Sequence, residues 1–395
     1  MKLALVGDLS GTAGPDCMGG TYDVASLASA LARRGHDVRI HTASQNTSEA
    51  TLGEIAGEFA VAPIPVEPSE FAEVDTVMPA IGEVARHLVG EWESHAPDVV
   101  HCYGWTYGMA AQLAARRKPT PTVQTFHGLA TTARRHCGPE SNSETAIQLE
   151  TLLVKNATVV TAACTDDLRE VIRMGCPRAR ASVLPAGIDV EDFDVVGTCA
   201  PRDDARQRIV ALARDFSPHQ GFGQLIRVLP SLPAAELVLI ATNAADDIDA
   251  QRALGLASHI GVAGRVHLVN AVDEREVAAL LRSADVVACP APYDAHAEAA
   301  LRAMACGAAV VAPESGGPRD AVVSEVTGLL VPPGSAEALN RALRSLLSQK
   351  VLRQGMGLAG RARARSRYSW DRVATDAEVA YQAAVRVEGM ATASR

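Results

Sequence analysis

Short apolar segments alternate with longer amphipathic segments along the whole chain. In the first half, the apolar segments predict buried strands at residues 3–6, 38–42, 99–101, 122–126 and 157–162. Helical periodicity predicts helices at 22–34 and at about 81–95, 105–117 and 143–155. Because strands and helices alternate, we expect parallel sheets joined by right-handed crossovers.

The alternation breaks once, at a turn-rich segment that runs from Leu184 to about residue 206. It then restarts, and predicts strands at 208–212, 236–241, 266–269, 286–289, 309–312 and 329–331. The pattern therefore predicts an α/β chain with two doubly wound, Rossmann-like domains that meet between residues 185 and 205. Ligands of such sheets bind at the carboxyl ends of the strands, so two facing domains would hold a ligand in the cleft between them.

Composition narrows the class of protein further. The net charge of −9 and the absence of a long Lys/Arg run argue against a nucleic-acid partner. The first apolar run is too short for a signal peptide, and no run approaches the roughly 18 residues of a membrane span. The eight Cys include no C-x-x-C pair and no Cys/His cluster at zinc spacing. We therefore expect a reduced, cytoplasmic protein without a structural metal.

A series of short motifs indicates the protein family more specifically than composition does. They are Met18-Gly19-Gly20 before a helix, Gln124-Thr125-Phe126-His127-Gly128, Leu184-Pro185-Ala186-Gly187-Ile188-Asp189, the 289–307 block, Ser315-Gly316-Gly317 and Gly328-Leu329-Leu330-Val331-Pro332-Pro333. In this order and spacing they resemble the retaining glycosyltransferases of family 4. The nearest resemblance is to the actinobacterial branch with the inositol-phosphate N-acetylglucosaminyltransferase of mycothiol synthesis, and to sucrose-phosphate-synthase-like enzymes.

The resemblance implies the GT-B fold, with two Rossmann-like domains facing across a cleft. Residues 1–190 would bind the acceptor and residues 191–370 the nucleotide sugar. A helix and tail at 371–395 would cross back to the N-terminal domain. No cofactor or metal is implied beyond the nucleotide-diphosphate sugar itself.

Two positions in the N-terminal domain gain a role from this resemblance. Gly19 and Gly20 alone fit an ordinary strand–helix turn, but in the family their amides face a donor phosphate. His127 ends a strand, where a histidine is as often structural as functional. The family places its active-site histidine at this position, close to the transferring sugar, whereas His101 at another strand end is expected to be structural.

The donor site would begin after the first strand of the second domain. Arg214 matches the family arginine that pairs with the leaving diphosphate, for which a bidentate guanidinium is well suited. The second family cation is a lysine just before a glycine, and here Gln220 stands before Gly221. By the same resemblance, Asn270 and Val272 would contact the donor.

The 293–307 block departs from the family at its two carboxylates. The first family glutamate, which holds donor-sugar hydroxyls, falls on Asp294, and the second, which holds ribose hydroxyls, falls on Arg302. The Pro-Phe-Gly stretch between them, whose amides face the donor, reads Ala295-His296-Ala297. A guanidinium only donates hydrogen bonds, so Arg302 cannot accept them from ribose.

Two interpretations of Arg302 follow. The first is that Arg302 replaces the missing lysine and binds the donor diphosphate. The second is that it forms an i,i+4 pair with Glu298 and makes no contact with the donor. Glu298, one turn earlier, is also a candidate to supply the lost ribose acceptor.

The acceptor side is less distinct. Arg134, Arg135 and Tyr103 are the candidate acceptor-binding residues, and the first two, with His136, form a basic cluster that would suit an acidic or phosphorylated acceptor. The mycothiol branch has a further lysine where Ala133 stands, which argues against inositol phosphate.

We therefore predict a metal-independent, retaining glycosyltransferase of a specialised antibiotic or thiol-conjugate pathway. UDP or GDP is the expected nucleotide, and the expected acceptor is a small molecule. A homodimer is one assembly that the prediction includes. The alternative is a catalytically silent GT-B homologue that binds nucleotide or a partner protein. A sugar epimerase is disfavoured, because such enzymes lack the Met304-Ala305-Cys306-Gly307 motif.

Overall fold

The computed structural model describes residues 1–9, 23–43, 58–66, 74–126, 128–138, 144–242, 247–270 and 273–393. The described chain divides into two compact units. One contains the described residues up to Gly187 together with those from Trp370 onward, and the other contains Ile188–Ser369. These breaks lie close to the predicted boundaries at 190 and 370. Gly19, Gly20, His127 and Val272 lie outside the described residues.

The first unit is built on a seven-stranded sheet with the order β3-β2-β1-β4-β5-β6-β7. Every neighbouring pair of strands is parallel. The strands are β1 (Lys2–Val6), β2 (Asp37–Ala43), β3 (Ala60–Ile64), β4 (Val99–Tyr103), β5 (Thr122–Thr125), β6 (Val159–Ala162) and β7 (Ala181–Val183). The helices between them are α1 (Val24–Arg33), α2 (Val74–Ser94), α3 (Gly104–Arg117), α4 (Ala130–Cys137), α5 (Glu144–Asn156) and α6 (Thr165–Arg173).

The second unit repeats the architecture with a six-stranded parallel sheet of order β10-β9-β8-β11-β12-β13. Its strands are β8 (Gln207–Ala213), β9 (Ala235–Ala241), β10 (Val266–Asn270), β11 (Val286–Ala288), β12 (Ala309–Pro313) and β13 (Gly328–Val331). Its helices are α7 (Phe222–Val228), α8 (Asp247–His259), α9 (Glu274–Arg282), α10 (Glu298–Ala305), α11 (Gly316–Ala321), α12 (Ala336–Ser348) and α13 (Lys350–Tyr368). The last helix of the chain, α14 (Trp370–Ala393), belongs to the first unit.

Each sheet is buried on both faces, as a parallel sheet covered by helices requires. In β1, Leu3 and Leu5 enter one core cluster while Ala4 and Val6 enter another. In β8, Ile209 and Ala211 pack on one face, and Val210 and Leu212 on the other. This explains why the strands appear in the sequence as continuous apolar runs.

Most predicted elements are present, and the differences have simple causes. The helix predicted from about residue 81 begins earlier, at Val74, and includes Pro79. Strand β3 was not predicted; it contains Pro63, which an edge strand accommodates because one side of its backbone needs no partner. Strand β7, at the opposite edge, is too short to produce a distinct apolar pattern.

The strand orders contain a topological switch point in each sheet. In the first sheet the order reverses beside β1, where β1 pairs with both β2 and β4. In the second it reverses beside β8, which pairs with β9 and β11. Loops leave the sheet in opposite directions at such a point and open a crevice at the carboxyl ends of the strands. No helix among the described residues is long and apolar enough to cross a membrane.

Candidate functional site

A pocket of about 510 Å³, including the part open to solvent, lies at the switch point of the second sheet. It lies among residues that follow the carboxyl ends of β8, β9 and β11, with the last residue of β12 and the first turn of α10. The lining residues are Leu212, Ala213, Arg214, Gln220, Thr242, Cys289, Pro290, Ala291, Asp294, Glu298, Ala299, Pro313 and Pro318. Four of the predicted donor-site residues, Arg214, Gln220, Asp294 and Glu298, are thus brought to one pocket.

Arg214 and Gln220 come from the loop after β8. Arg214 is half-buried, and Gln220 is 3% exposed at the end of the 3₁₀ turn Pro218–Gln220. The amide nitrogen Nε2 of Gln220 is buried without a hydrogen-bond partner in the structure. Because an unsatisfied buried donor is costly, a ligand group that accepts from Nε2 would bind favourably here. A guanidinium and an amide donor therefore lie where an anionic group would be held.

Asp294 comes from the loop after β11 and lines the same pocket. Its Oδ1 accepts the backbone N–H of His296 at 2.8 Å, and the amides of Ala297 and Glu298 also stabilise the carboxylate. Burial is the largest influence, and with the nearby charge of Glu298 it raises the pKa of Asp294 to about 7. Burial also lowers the pKa of His296 to about 4, so this imidazole is neutral near pH 7. The amides that the resemblance assigned to the donor are directed at Asp294 in this structure.

The backbone at Ala297 adopts an unusual conformation. Its φ of 57° lies in the left-handed region, which favours glycine, and this is the position where the family pattern has glycine. The residue is buried immediately before α10. Strained backbone of this kind persists only where its surroundings hold it.

The loop around Asp294 is held by two glycines at the start of α11. Gly317 donates its N–H to the carbonyl of Asp294 at 2.8 Å. A Cβ at Gly316 would lie 2.4 Å from that same carbonyl oxygen, and one at Gly317 would lie 2.6 Å from the carbonyl oxygen of Ala295. The Ser315-Gly316-Gly317 motif therefore allows α11 to approach the loop closely and fix its path.

Arg302 is engaged away from the lining of the pocket. Its Nη2 lies 2.9 Å from Oε1 of Glu298 and 2.9 Å from Oε1 of Glu274, and its guanidinium stacks 4.8 Å from the ring centre of Phe193. Arg302 is not among the residues that line the pocket. The geometry thus disagrees with the first interpretation, in which Arg302 replaces the missing lysine, and agrees with the pair to Glu298. The sequence did not indicate Glu274 or Phe193, because both approach Arg302 only through the packing of other segments.

The remaining predicted donor residues that the structure describes do not line the pocket. His296 and Ala297 are buried beside Asp294, in the loop that shapes the pocket without lining it. Asn270 ends β10 and is exposed outside the pocket lining.

The predicted acceptor residues of the first unit are more dispersed. Tyr103 is 1% exposed, and its hydroxyl lies 3.1 Å from Nδ1 of His101 within the core. Its burial argues against the predicted contact with an acceptor. Arg134 pairs with Glu144 at 2.6 Å and Arg135 with Glu170 at 3.0 Å, so acidic partners offset much of the charge of the predicted basic cluster.

His101 has the structural role that the sequence suggested. Its Nδ1 lies 2.8 Å from the hydroxyl of Tyr381 and its Nε2 lies 2.8 Å from Oγ1 of Thr125. This buried contact connects β4, β5 and the C-terminal helix α14.

Several pocket residues were not among the predicted site residues, although Cys289 to Ala291 lie in the 289–307 block. Thr242, Pro313 and the segment from Cys289 to Ala291 each end or follow a strand of the second sheet. The general rule that ligands bind at the carboxyl ends of strands was the signal that could have found them. At the switch point of the first sheet, the hydroxyl of Tyr107 donates to Asp8 at 2.7 Å, and this buried polar pair was also missed. Among the described residues, no group of three or more His, Cys, Asp or Glu is placed to hold a metal ion.

Two family models match the chain in succession and together cover most of it. "Glycosyl transferase 4-like domain" matches residues 19–187, and "Glycosyl transferases group 1" matches residues 201–363. The chain belongs to the glycosyltransferases of the GT-B fold. The second match contains the whole pocket described above, from Leu212 to Pro318.

Relatives and solved structures agree with this assignment. The D-inositol 3-phosphate glycosyltransferase of Xylanimonas cellulosilytica is 28% identical across 91% of this chain and 90% of the relative. Sucrose-phosphate synthase from Thermosynechococcus elongatus superimposes with a TM-score of 0.81 at 21% identity, covering 97% of this chain and 98% of that one. HepE from Anabaena, solved with UDP and glucose, gives 0.72 at 18% identity, covering 96% and 98%. The predicted fold, with two Rossmann-like parallel-sheet units of the GT-B type, is confirmed.

Proposed function

We propose that this glycosyltransferase moves a sugar from a nucleotide-diphosphate donor to a small-molecule acceptor, with retention of anomeric configuration and without a metal ion. The observation that carries the proposal is the pocket at the second switch point. There Arg214 and the Gln220 amide offer hydrogen-bond donors for phosphate, while Asp294 and Glu298 offer acceptors for hydroxyl groups. A nucleotide-diphosphate sugar presents both kinds of group.

Arg214, Gln220 and Asp294 each have a distinct part in the proposed reaction. Arg214 stabilises the negative charge that develops on the leaving diphosphate as the glycosidic bond breaks. Gln220 adds a neutral donor where the family pattern has a cation. Asp294 accepts hydrogen bonds from the sugar and holds it in place for attack. The acceptor attacks from the face that the diphosphate leaves, and the departing diphosphate takes up the acceptor's proton. This retains the configuration without a covalent sugar–enzyme intermediate.

His127 keeps its predicted catalytic role in this proposal, and Gly19 and Gly20 keep theirs as amide donors to phosphate. His127→Ala is expected to lower turnover far more than it weakens nucleotide binding, because the resemblance places His127 in the domain opposite the one that binds the nucleotide. Steady-state kinetics and direct titration of the nucleotide, performed on the same variant, separate the two effects. An equal loss in both would return His127 to a structural role.

The proposed donor carries UDP or GDP, and the proposed acceptor is a small molecule. UDP is the first nucleotide to test, since HepE was solved with UDP, and GDP is the second. The acceptor is a small molecule, as it is for the inositol-phosphate relative, and a specialised pathway would be consistent with the altered donor motif. The pairing of Arg134 and Arg135 with glutamates weakens the earlier argument for an acidic acceptor.

A ligand titration tests the proposal directly. UDP, GDP, ADP and dTDP and their sugars are titrated calorimetrically and in thermal-shift assays, with and without EDTA. A nucleotide at a hundred times its Kd stabilises the protein by about 2.7 kcal/mol, enough to raise Tm measurably. Binding that EDTA abolishes and magnesium restores would contradict the metal-independent mechanism.

A transfer assay then tests the reaction. Nuclear magnetic resonance of the product's anomeric signal gives the stereochemistry, and an inverted product would exclude retention. Binding without hydrolysis or transfer for any donor would instead support the alternative, a catalytically silent homologue. The observation that supports this alternative is that Gln220 stands where the family pattern has a lysine.

A further inference from the structure

The described lining of the pocket includes two carboxylates, and one of them pairs with a partly buried arginine that does not itself line the pocket. Building on the proposed function, we propose that Arg302 is a positioning residue. It orients Glu298 so that Glu298 and Asp294 together accept hydrogen bonds from neighbouring hydroxyl groups of the bound ligand. Arg302 would then act through Glu298 and have no direct contact with the donor.

The geometry of α10 provides the first argument. Glu298 is the first residue of this helix and Arg302 lies one turn later, so both side chains are on the same face. Glu298 lines the pocket and its side chain is 23% exposed. Its Oε1 lies 2.9 Å from Nη2 of Arg302. A carboxylate has about four acceptor positions on two oxygens, so a single guanidinium contact leaves capacity for ligand hydroxyls.

The surroundings of Arg302 provide the second argument. The Arg302 side chain is only 12% exposed, it stacks over the buried ring of Phe193, and it also contacts Glu274 of α9. A side chain fixed from three directions has little freedom to move, unlike an ordinary exposed i,i+4 pair. Arg302 can therefore impose a single orientation on Glu298, whose own backbone is fixed by the helix.

Electrostatics provides the third argument. Asp294 and Glu298 are close enough for the charge of Glu298 to raise the pKa of Asp294. Two adjacent carboxylates resist simultaneous ionisation unless a cation offsets their repulsion. Arg302 supplies such a cation against Glu298 and does not itself line the pocket. Arg302 therefore offsets part of the negative charge that Glu298 places beside Asp294, and both carboxyl groups line the pocket as neighbouring acceptors.

Neighbouring hydroxyls occur both on ribose and on the transferred sugar, and the same carboxylate pair would bind either. The test therefore compares matched ligands by calorimetry. UDP is compared with 2′,3′-dideoxy-UDP, and UDP-glucose with UDP-2-deoxyglucose. The ratio of the two Kd values in each pair measures how much the site gains from the hydroxyls. The pair that shows the larger ratio identifies the source of the hydroxyl groups.

Four variants are compared with the parent protein. Glu298→Gln removes the proposed acceptor charge, Arg302→Met removes the positioning cation but retains apolar bulk against Phe193, and Arg302→Lys keeps the charge. Glu274→Gln is the matched control, since Glu274 contacts the same guanidinium nitrogen but does not line the pocket. Circular dichroism and Tm establish that each variant is folded.

The parent is expected to favour the hydroxylated ligand by about tenfold or more in at least one pair, because hydrogen bonds to a charged group are strong. Glu298→Gln and Arg302→Met should both reduce that ratio severalfold, with little change in Kd for the deoxy ligand. Arg302→Lys should recover part of the ratio, and Glu274→Gln should leave it nearly unchanged.

The outcomes distinguish the inference from the function on which it rests. If the parent binds UDP or UDP-glucose but Glu298→Gln keeps the full ratio, Glu298 does not accept the hydroxyls and the inference is wrong. If Glu298→Gln lowers the ratio and Arg302→Met does not, the positioning role is wrong. If Arg302→Met does not fold, Arg302→Lys provides the same test, because loss of the planar guanidinium should lower the ratio in part. If the parent binds no nucleotide or nucleotide sugar, the proposed function fails as well.

Discussion

Asp294 differs from an ordinary aspartate because its pKa is raised to about 7. In the unfolded chain an aspartate titrates near pH 3.9, so the unfolded state loses its proton first as pH rises. The folded state keeps the proton until the pH approaches 7. Between these two values the unfolded state binds fewer protons, so ionisation of Asp294 lowers the free energy of unfolding as pH rises. The total effect is at most about 4 kcal/mol, calculated from the two pKa values.

Comparison with Asp294→Asn isolates this effect from the other titrating groups. The variant does not titrate at position 294, so its Tm relative to the parent should rise between pH 5 and pH 8 and change little above pH 8. Calorimetric scans of both proteins at several pH values provide the measurement. A difference in Tm that stays constant over this range would show that the pKa of Asp294 is not raised.

Residue positions differ in how far the sequence could predict their roles. Arg214 and Asp294 follow strands and lie in motifs that the resemblance assigns to the donor site, so the resemblance and the strand pattern predicted that both would lie near the carboxyl ends of strands. The partners of Arg302 were only partly predictable. Glu298 lies four residues away on one helix, but Glu274 comes from α9 and Phe193 from the segment after β7. Only the packing of these segments decides where the guanidinium points.

At the scale of elements, the turn before α7 depends on one glycine. Gly221 has a φ of 80°, and a Cβ there would lie 2.2 Å from the carbonyl oxygen of Pro290. Pro290 and Gln220 both line the pocket, so this close approach brings two of its walls together. An alanine would be strained in the left-handed conformation and would also push against backbone that cannot rotate away.

Gly221→Ala is therefore expected to lower the free energy of unfolding by at least about 2 kcal/mol and to weaken nucleotide binding. Gly223→Ala, two residues later in α7, is the control. Its Cβ would meet first the end of the flexible Arg227 side chain, at 3.3 Å, so the substitution should be neutral or slightly stabilising. Urea unfolding and calorimetric titration with UDP measure both properties. Equal tolerance of the two substitutions would mean that the Gly221 turn is not under constraint.

All central strands of both sheets were predicted, and so were the edge strands β10 and β13 of the second sheet. Central strands such as β8 and β9 are apolar on both faces and appear in the sequence as unbroken runs. The edge strands β3 and β7 were missed, because one contains a proline and the other is short. Pairing with a neighbouring strand contributes much of what makes these two segments strands, and the local sequence pattern does not show that pairing.

At the scale of the whole molecule, the chain leaves the first unit after Gly187 and returns to it at Trp370. The returning helix α14 buries Val373, Ala377 and Tyr381 in the core that contains Leu3 and Leu5. The hydroxyl of Tyr381 also contacts His101. The first unit therefore requires residues from both ends of the chain, whereas every described residue that lines the pocket lies in Ile188–Ser369.

A chain that ends at Ser369 tests this division. The first unit should lose its stable fold, because loss of one buried aromatic side chain alone costs about 3–5 kcal/mol against a total stability of about 5–15 kcal/mol. Hydrogen exchange in peptides from β1 and β4 should become fast, while calorimetric titration should still detect UDP binding to the second unit, if weaker. A chain that ends at Glu388 retains all of the buried positions named above and should behave as the parent in both measurements. Retained protection of β1 and β4 would show that the first unit folds without α14, and complete loss of UDP binding would show that the two units do not fold independently.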